Sequence, residues 1–317
     1  MIGRRLCKEL LAEGYDLTVL SRKPASVPVK CGAGVHALAS LAEWHPALSF
    51  DAVINLAGEP IIDVRWSAQR KQVLWDSRVT LTEELVRHIA AAEHKPSVLL
   101  SGSAVGYYGN GGDIMLDETA GAGEGFAAEL CKAWEDAARG AEKSGVRPQH
   151  GAAELAGAGV AASHLLPQTA GVSKVRVCLL RTSPVLSNDG GLLGRMLPPF
   201  KLGLGARLGD GKQWMSWVHI EDYVAMVLRL LRDEQTQGPY NMAAPQPVTN
   251  GEFAAALAAA LHRPAFFVAP APLLRLAMGE RASLLLEGQR VLPKKMEIAR
   301  HRFAFPTLAE ALRDLIR

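Results

Sequence analysis

Charged side chains stand at the end of a short apolar segment, where they could bind a phosphate group. Residues 16–22 are predicted to form a buried strand, and Ser21, Arg22 and Lys23 stand at its end. In dinucleotide-binding folds an acidic residue near this point takes the ribose hydroxyls of NAD, whereas an arginine accommodates the 2′-phosphate of NADP. None of the three residues is acidic, so the sequence favours NADP over NAD. The alternative is that they are solvated loop charges.

Small residues end a second predicted strand, over 51–58, and an acidic residue follows them. Asn55, Leu56, Ala57 and Gly58 would let the backbone lie against the adenosine side of a cofactor. A tight turn between strand and helix would have the same composition. Glu59 comes next, and a carboxylate can act as an acid or base if burial raises its pKa.

Helices and strands alternate along the chain in the order that positions such a site. Apolar residues at helical spacing precede a glycine stop at Gly14, and amphipathic helices are predicted over 67–92 and 126–143. Further strands are predicted over 97–104 and 175–182. This alternation indicates parallel βαβ units, and hence an α/β fold with a Rossmann-like, doubly wound parallel sheet. Ligands bind beyond the carboxyl ends of such strands.

Composition excludes several classes of protein. Lysine and arginine number 35 against 32 aspartates and glutamates, without basic runs, which argues against a nucleic-acid partner. A hydrophobic share of 49% excludes a disordered chain, and no apolar run is long enough to cross a membrane. The four cysteines lack CxxC spacing and the histidines form no HxH pair, so we predict buried thiols and no metal site. The first residues lack a signal-peptide pattern, which predicts a cytoplasmic protein.

Eight motifs in one order carry a resemblance to a known family. They are NLAGEPI (55–61), RW (65–66), SGSAVGYYG (101–109), LLRT (179–182), LPPFKLGLG (197–205), GDGKQWMSWVHIEDYV (209–224), GPYNMAAPQPVTNGEF (238–253) and GQRVLPKKM (288–296). Together they resemble the atypical short-chain dehydrogenase/reductase family of nucleoside-diphosphate-sugar epimerase-like proteins, with its characteristic C-terminal segment. The resemblance implies an NAD(P)-binding Rossmann domain over 1–190 and a smaller α/β substrate lobe over 191–317, with the sharing of strands between the two as an open alternative.

The resemblance also implies catalytic groups. Ser103 stands where extended members of the class place the serine that hydrogen-bonds the substrate oxygen. Those enzymes exchange the proton through a tyrosine whose pKa is lowered by a lysine four residues later. No tyrosine of this chain has a lysine at that spacing, and Lys132 is interpreted as a helix-surface residue. Tyr108, with Tyr107 beside it, or Glu59, which the resemblance places at the nicotinamide end, is then the candidate proton carrier. The alternative is that both tyrosines pack beneath the loop.

Two further residues gain a cofactor role from the resemblance. Arg181 ends a strand where relatives contact the nicotinamide carboxamide, and its alternative role is to anchor the loop to backbone carbonyls. Gly3 matches the last position of the family's glycine-rich motif, which cradles the pyrophosphate at a helix N-terminus. The first strand and the other glycines of that motif are absent from the sequence. We expect an incorrectly assigned start, with a shortened protein as the alternative.

Three further segments have interpretations of their own. Residues 144–174 are rich in alanine and glycine and are predicted to form a surface insertion, with a partner-binding arm as the alternative. Lys201 and Arg207 flank a glycine-rich loop that could bind an anionic substrate group. Gln289 and Arg290 are predicted to close the cleft.

Three hypotheses follow. The first is an NADP-dependent oxidoreductase or epimerase-like enzyme that acts on a small molecule, with no nucleic-acid or membrane partner and with a homo-oligomer allowed. The second is a non-catalytic NADP-binding sensor or scaffold. The third is an inactive truncated product, because the phosphate cradle is incomplete.

Overall fold

The structure, a computed structural model, describes residues 1–145 and 174–316, so nearly all of the predicted insertion lies outside the described residues. The first group of elements, up to residue 182, contains α1 (Ile2–Ala12), β1 (Thr18–Leu20), α2 (Val27–Cys31), β2 (His36–Leu38), β3 (Ala52–Asn55), α3 (Ala68–Trp75), α4 (Leu81–Ala91), β4 (Val98–Ala104), β5 (Met115–Leu116), α5 (Phe126–Arg139) and β6 (Arg176–Thr182). The second contains β7 (Val185–Ser187), α6 (Gly191–Lys201), β8 (Ala206–Leu208), β9 (Trp214–Met215), β10 (Val218–His219), α7 (Ile220–Arg232), β11 (Gly238–Met242), β12 (Val248–Thr249), α8 (Asn250–Ala260), β13 (Phe267–Ala269), α9 (Ala271–Met278), α10 (Ser283–Leu286), β14 (Arg290–Val291), α11 (Lys294–Ile298) and α12 (Leu308–Leu315). Over the described ranges, no helix has both the length and the apolar character needed to span a membrane.

Four parallel strands form the central sheet in the order β11, β6, β4, β3. Helices cover both of its faces. Val98 and Leu100 of β4 pack in a cluster with residues of α1 and α7, whereas Leu99 between them packs with Ile89 of α4. Because alternate side chains of a strand point to opposite faces, a strand buried on both faces is an unbroken apolar run. The prediction of an α/β fold with a doubly wound parallel sheet is confirmed.

A separate parallel pair lies beside this sheet. β1 pairs with β2 from Thr18 opposite His36 to Leu20 opposite Leu38. Within residues 1–145 and 174–316, no strand links this pair to β3 by hydrogen bonds. Helix α1 packs against both α2 and α7 and buries Leu6 and Leu10, which places its first turn near the end of β1.

Residues beyond 190 contribute to two cores. β11 pairs with β6, so a strand from the C-terminal half completes the central sheet. A second cluster of apolar side chains packs α6, α8 and α12 together around Trp217, Phe253 and Leu312. The boundary at 190 stays a prediction.

The helix predicted over 67–92 is interrupted in its middle. Helix α3 begins after Ser67, whose hydroxyl accepts a hydrogen bond from the Arg70 amide. Residues Asp76–Thr80 then form a π-helical turn before α4 begins. Such turns occur often at functional sites, and this one contacts the site described below.

Residues 288–296, the C-terminal signature, are tied to the loop that follows β4. β14 pairs in parallel with β5, and the Gln289 side-chain amide donates to the Gly109 carbonyl at 2.5 Å. The Gln289 carbonyl accepts from the Ser216 hydroxyl at 2.7 Å. The Arg290 guanidinium lies 4.2 Å from the ring centre of Trp214. These contacts give the segment a packing role that its sequence did not reveal.

Two of the four cysteines differ from the expectation of buried thiols. Cys131 and Cys178 are buried, but Cys7 and Cys31 are half-buried. Burial raises the pKa of Cys131 to about 12 and that of Cys7 to about 11, and the neighbouring Cys31 adds to the second shift. The thiolate is the reactive form, so Cys7 and Cys131 are poor nucleophiles at neutral pH.

A buried histidine begins helix α7. Nδ1 of His219 accepts a hydrogen bond from the Glu221 amide at 3.2 Å. Burial lowers the His219 pKa below the ordinary 6.5, although the carboxylates of Asp222, Asp314 and Glu221 act in the opposite direction. The folded protein therefore holds this ring neutral at a pH where the unfolded chain protonates it.

We expect the free energy of unfolding to decrease as the pH falls below about 6.5. The stability that the neutral His219 ring contributes is fully present above that pH and is lost as the pH falls toward the lower folded pKa. Urea unfolding at pH about 7.5 and about 5.5 measures the difference. In His219→Asn the free energy of unfolding should depend less on pH, while asparagine still caps the helix. An equal dependence on pH in the two proteins contradicts the prediction.

Candidate cofactor and active site

A basic pocket of about 560 Å³ lies between the first turn of α1, the end of β1 and α2. It is lined by Arg4, Val19, Leu20, Ser21, Arg22, Lys23, Ser26, Val27, Lys30 and Cys31. Four of these residues are cationic and none of them is acidic. The Arg22 side chain is 90% exposed, so its guanidinium is accessible to a ligand. The pocket fits an anionic group such as a phosphate.

A second pocket of about 670 Å³ adjoins the first. The two share Arg4, Lys30 and Cys31, and the second extends to residues 187–189 after β7. Together they run along the first turn of α1, and a helix N-terminus stabilises phosphate charge. Gly3 lies in this turn, and an added Cβ there would meet no described atom within 4 Å. Packing among the described residues therefore does not require this glycine, and its cofactor role stays a prediction.

The turn after β3 is built from the small residues that the sequence singled out. Asn55 is buried at the strand end, where its side-chain amide donates to the Thr82 hydroxyl at 2.9 Å. Its side-chain oxygen accepts from the Ala57 amide at 3.2 Å. Leu56 packs against the core cluster that includes α1 and α7. The turn is thus rigidly attached to the sheet.

The π-helical turn holds the next two residues. The Ser77 hydroxyl oxygen accepts from the Glu59 amide at 3.1 Å, and Arg78 donates to the Glu59 carbonyl at 2.8 Å. A Cβ on Gly58 would lie 3.1 Å from the guanidinium carbon of Arg78. Gly58 therefore allows Arg78 to lie directly against the turn.

The Glu59 carboxylate binds Arg22, which is one of the residues that line the basic pocket. Its Oε1 accepts from Arg22 at 2.8 Å, and its Oε2 lies 3.7 Å from Arg70. The turn is therefore anchored beside the end of β1, and the position at the nicotinamide end that the resemblance implied for Glu59 stays a prediction. A catalytic role for Glu59 stays a prediction, and its charge is neutralised by two arginines.

Neighbouring strands bring three side chains into one row at the carboxyl ends of the sheet. Ser103 of β4 is opposite Arg181 of β6, and Arg181 is opposite Asn241 of β11. All three are buried. Glu135 of α5 accepts from Ser103 at 2.8 Å and from Arg181 at 2.8 Å and 3.1 Å.

Tyr108 joins these residues, and we call Ser103, Tyr108, Glu135, Arg181 and Asn241 the buried polar network. The Tyr108 hydroxyl accepts from Arg181 at 2.9 Å and donates to Asn241 at 2.6 Å. Burial raises the Tyr108 pKa to about 12, against the opposing effect of Arg181. A general base needs a lowered pKa, whereas the raised pKa of Tyr108 keeps this phenol protonated at neutral pH.

Arg181 is held by its partners rather than presented to a ligand. Burial opposes its charge, but the hydrogen bonds and the charge of Glu135 outweigh burial and raise the guanidinium pKa. The Tyr107 ring centre lies 3.6 Å from its guanidinium carbon. The geometry favours the anchoring alternative, because the carboxylate of Glu135, the phenol of Tyr108 and, at 3.5 Å, the Glu118 carbonyl accept from Arg181. Lys132 lies on the helix surface and pairs with Asp136 at 3.0 Å.

Several residues of these sites were not found from the sequence. Glu135 had a signal, because it stands beside Trp134 on the apolar face of α5, where an acidic residue needs a partner. Asn241 also had a signal, because it lies near the end of a strand, as the other candidates do. Arg4 and Lys30 reach the pocket only through the packing of α1 on α2, which leaves no local pattern.

The chain matches two family models. The NAD dependent epimerase/dehydratase family matches residues 1–243, and a domain of unknown function, DUF1731, matches residues 269–315. An epimerase family protein of Mycobacterium bovis is 42% identical over 269 residues, which are 84% of this chain and 79% of the relative. Epimerase family protein SDR39U1 of Bos taurus is 34% identical over 325 residues, 99% of this chain and 96% of the relative.

Solved structures agree with these matches. The human epimerase family protein SDR39U1 (isoform 2) with NADPH has a TM-score of 0.81 and 32% identity, over 99% of this chain and 95% of that chain. A UDP-galactose 4-epimerase has a TM-score of 0.68 at 15% identity, over 99% and 94% of the two chains, which shows a shared fold alone. This chain therefore belongs to the NAD-dependent epimerase/dehydratase family, as an atypical short-chain dehydrogenase/reductase with a C-terminal DUF1731 domain.

Proposed function

We propose that this chain binds NADP(H) and acts as an oxidoreductase or epimerase-like enzyme on a small-molecule substrate. The observation that carries the proposal is the basic pocket, in which four cations and no acidic lining residue surround the end of β1. An arginine at this point accommodates a 2′-phosphate. The human relative solved with NADPH supports the same choice of cofactor.

The residues present fit the adenosine side of this cofactor, its 2′-phosphate and, at the first turn of α1, its pyrophosphate. Arg22 and Lys23, with Ser21 beside them, would hold the 2′-phosphate. The backbone of residues 55–58 would lie along the adenosine side, and the first turn of α1, with Gly3, would meet the pyrophosphate. When bound, the nicotinamide would supply hydride transfer, and the chain would supply orientation and a proton path.

The buried polar network limits which groups can move that proton. Ser103 donates its proton to Glu135, but its oxygen can still accept a hydrogen bond from a substrate hydroxyl. Tyr108 donates to Asn241 and accepts from Arg181, so it would orient Arg181 and could give up a proton only after rearrangement. We retain Ser103 as the proposed substrate contact and treat proton transfer by Tyr108 as the weaker part of the proposal.

We expect Arg22→Gln to weaken NADPH binding by roughly 10- to 100-fold, because a charge-assisted hydrogen bond to phosphate contributes about 1.5–3 kcal/mol. NADH lacks the 2′-phosphate, so its affinity should change by no more than about threefold. Nicotinamide fluorescence titration of both cofactors measures the two affinities. Arg87→Gln removes an exposed arginine of α4 outside the pocket lining and serves as the control. Equal losses for NADPH and NADH, or no NADPH binding by the unaltered chain, would refute the proposal.

A second function is favoured by the saturated hydrogen bonds of Tyr108 and by the absence of a tyrosine–lysine couple in the sequence. The chain could be a non-catalytic NADP(H) sensor. NADPH oxidation across a panel of carbonyl compounds and nucleotide sugars separates the two functions. Turnover that Ser103→Ala lowers by up to about tenfold supports the enzyme, since a hydrogen bond to the substrate contributes about 0.5–1.5 kcal/mol. NADPH binding without any turnover supports the sensor.

Location and partners also belong to the proposal. We propose a cytoplasmic protein with a small, anionic substrate, for which Lys201 and Arg207 are the candidate contacts. One plant relative is named as chloroplastic, so the family occurs in more than one compartment. A homo-oligomer is allowed by the same proposal.

A further inference from the structure

We propose that Glu59 is an internal counter-ion of Arg22 that limits the affinity of this chain for 2′-phosphorylated ligands and so sets its selectivity between NADPH and NADH. This inference rests on the proposed function, because it concerns the same pocket. It assigns Glu59 a role in specificity instead of proton transfer. The contacts that carry it join the turn after β3 to the end of β1.

The backbone that carries the Glu59 side chain is held on both sides, whereas the Arg22 side chain is exposed. The amide and the carbonyl of Glu59 are bound by Ser77 and Arg78, at 3.1 Å and 2.8 Å. The next carbonyl, of Pro60, accepts from Arg70 at 2.6 Å. The backbone on both sides of the carboxylate is therefore held. Arg22 is 90% exposed at its side chain, so a ligand can turn it more easily than it can displace Glu59.

The position of the carboxylate gives the pocket a mixed character. In this fold an acidic residue at the end of the second strand of the βαβ unit takes ribose hydroxyls. This chain has Ser21, Arg22 and Lys23 at that point, but Glu59 reaches the same guanidinium from 37 residues further along. A ligand that carries a 2′-phosphate must then compete with the Glu59 carboxylate for Arg22. A ligand with a free 2′-hydroxyl depends less on that guanidinium and meets less of this competition.

The test compares two ligands that differ only in the 2′-phosphate, adenosine 2′,5′-bisphosphate and AMP. In Glu59→Gln we expect calorimetric titration at low salt to show about fivefold tighter binding of the bisphosphate, the upper range for one exposed ion pair. Binding of AMP should change by less than about twofold. The gain should shrink at high salt, because the charges are partly exposed. Tighter binding of both ligands would overturn the inference, since it would show an effect that does not depend on phosphate.

A matched control and a double variant complete the test. Asp63→Asn removes a carboxylate on the same loop that pairs with Arg195 at 2.5 Å and should leave both affinities unchanged. In Arg22→Gln the further change Glu59→Gln should give little additional gain, because the effect passes through Arg22. A full gain in that background, an unchanged affinity, or weaker binding of the bisphosphate in Glu59→Gln would each overturn the inference.

The same measurements separate this inference from the proposed function. NADPH binding that depends on Arg22, with a selectivity that Glu59→Gln leaves unchanged, overturns the role of Glu59 alone. Failure of the unaltered chain to bind NADPH, the bisphosphate and AMP overturns both. Thermal unfolding of Glu59→Gln with the unaltered chain as reference checks that the isosteric variant is folded.

Discussion

Replacement of Glu135 by glutamine should lower the free energy of unfolding by about 3–5 kcal/mol. Arg181 is only 2% exposed and Glu135 is fully buried, and their two hydrogen bonds form a buried ion pair. Removal of the carboxylate charge leaves a guanidinium in the interior without its counter-ion. Ser103 and Arg139 lose an anionic acceptor in the same change. Urea unfolding at neutral pH measures the loss.

The adjacent residue provides the control for this variant. Asp136→Asn changes the same chemical group one position along α5, but its side chain is exposed and pairs with Lys132 and Arg139. Exposed ion pairs contribute little, so we expect a change below about 1 kcal/mol. If Glu135→Gln were no more destabilising than Asp136→Asn, the buried polar network would not be a source of stability.

Gly288→Ala should destabilise the chain by about 3 kcal/mol, near the upper end of the range for overpacking. A Cβ at this position would lie 2.4 Å from the Trp214 amide nitrogen and 2.5 Å from the Trp214 carbonyl oxygen. These are backbone atoms, which cannot turn aside as a side chain can. The variant must therefore separate the C-terminal signature from β9, and with it the bond from Gln289 to Gly109.

A glycine with open surroundings tests whether the effect is steric. Gly194 lies in α6, and a Cβ there would meet no described atom within 4 Å. Gly194→Ala should leave stability unchanged or raise it by up to about 1 kcal/mol, because alanine favours the helix. Thermal unfolding of the two variants gives the comparison, and similar melting temperatures would contradict the steric explanation.

The elements of the central sheet were predictable because each is marked by its own residues. The apolar run of β4 and the alternation of strands with long helices indicate a parallel sheet buried on both faces. Element ends were less accurate: β1 covers only Thr18–Leu20 and β3 only Ala52–Asn55. Both predictions included polar residues at the strand ends that lie outside the observed strands. The π-helical turn within 67–92 left no trace, because one turn barely disturbs the apolar periodicity.

The site was predictable in part for a related reason. Parallel strands place their carboxyl ends at one edge, so Ser103 and Arg181 could be expected to meet once the sheet was inferred. The same reasoning placed Ser21, Arg22 and Lys23 near a ligand. It could not show that Ser103 donates to Glu135 or that the Tyr108 phenol is bonded on both sides.

The local pattern of residues determines which side chains end each strand, and so which chemistry is available at the edge of the sheet. The pairing of those side chains depends on tertiary packing. Glu59 meets Arg22 across 37 residues, and Glu135 meets Arg181 across 46. Contacts of this kind form where separate elements pack together, so the charge and pKa of each group depend on partners that no local spacing identifies. For that reason the proposed phosphate-binding role of Arg22 could be inferred from its strand end, whereas its contact with Glu59 became visible only in the folded chain.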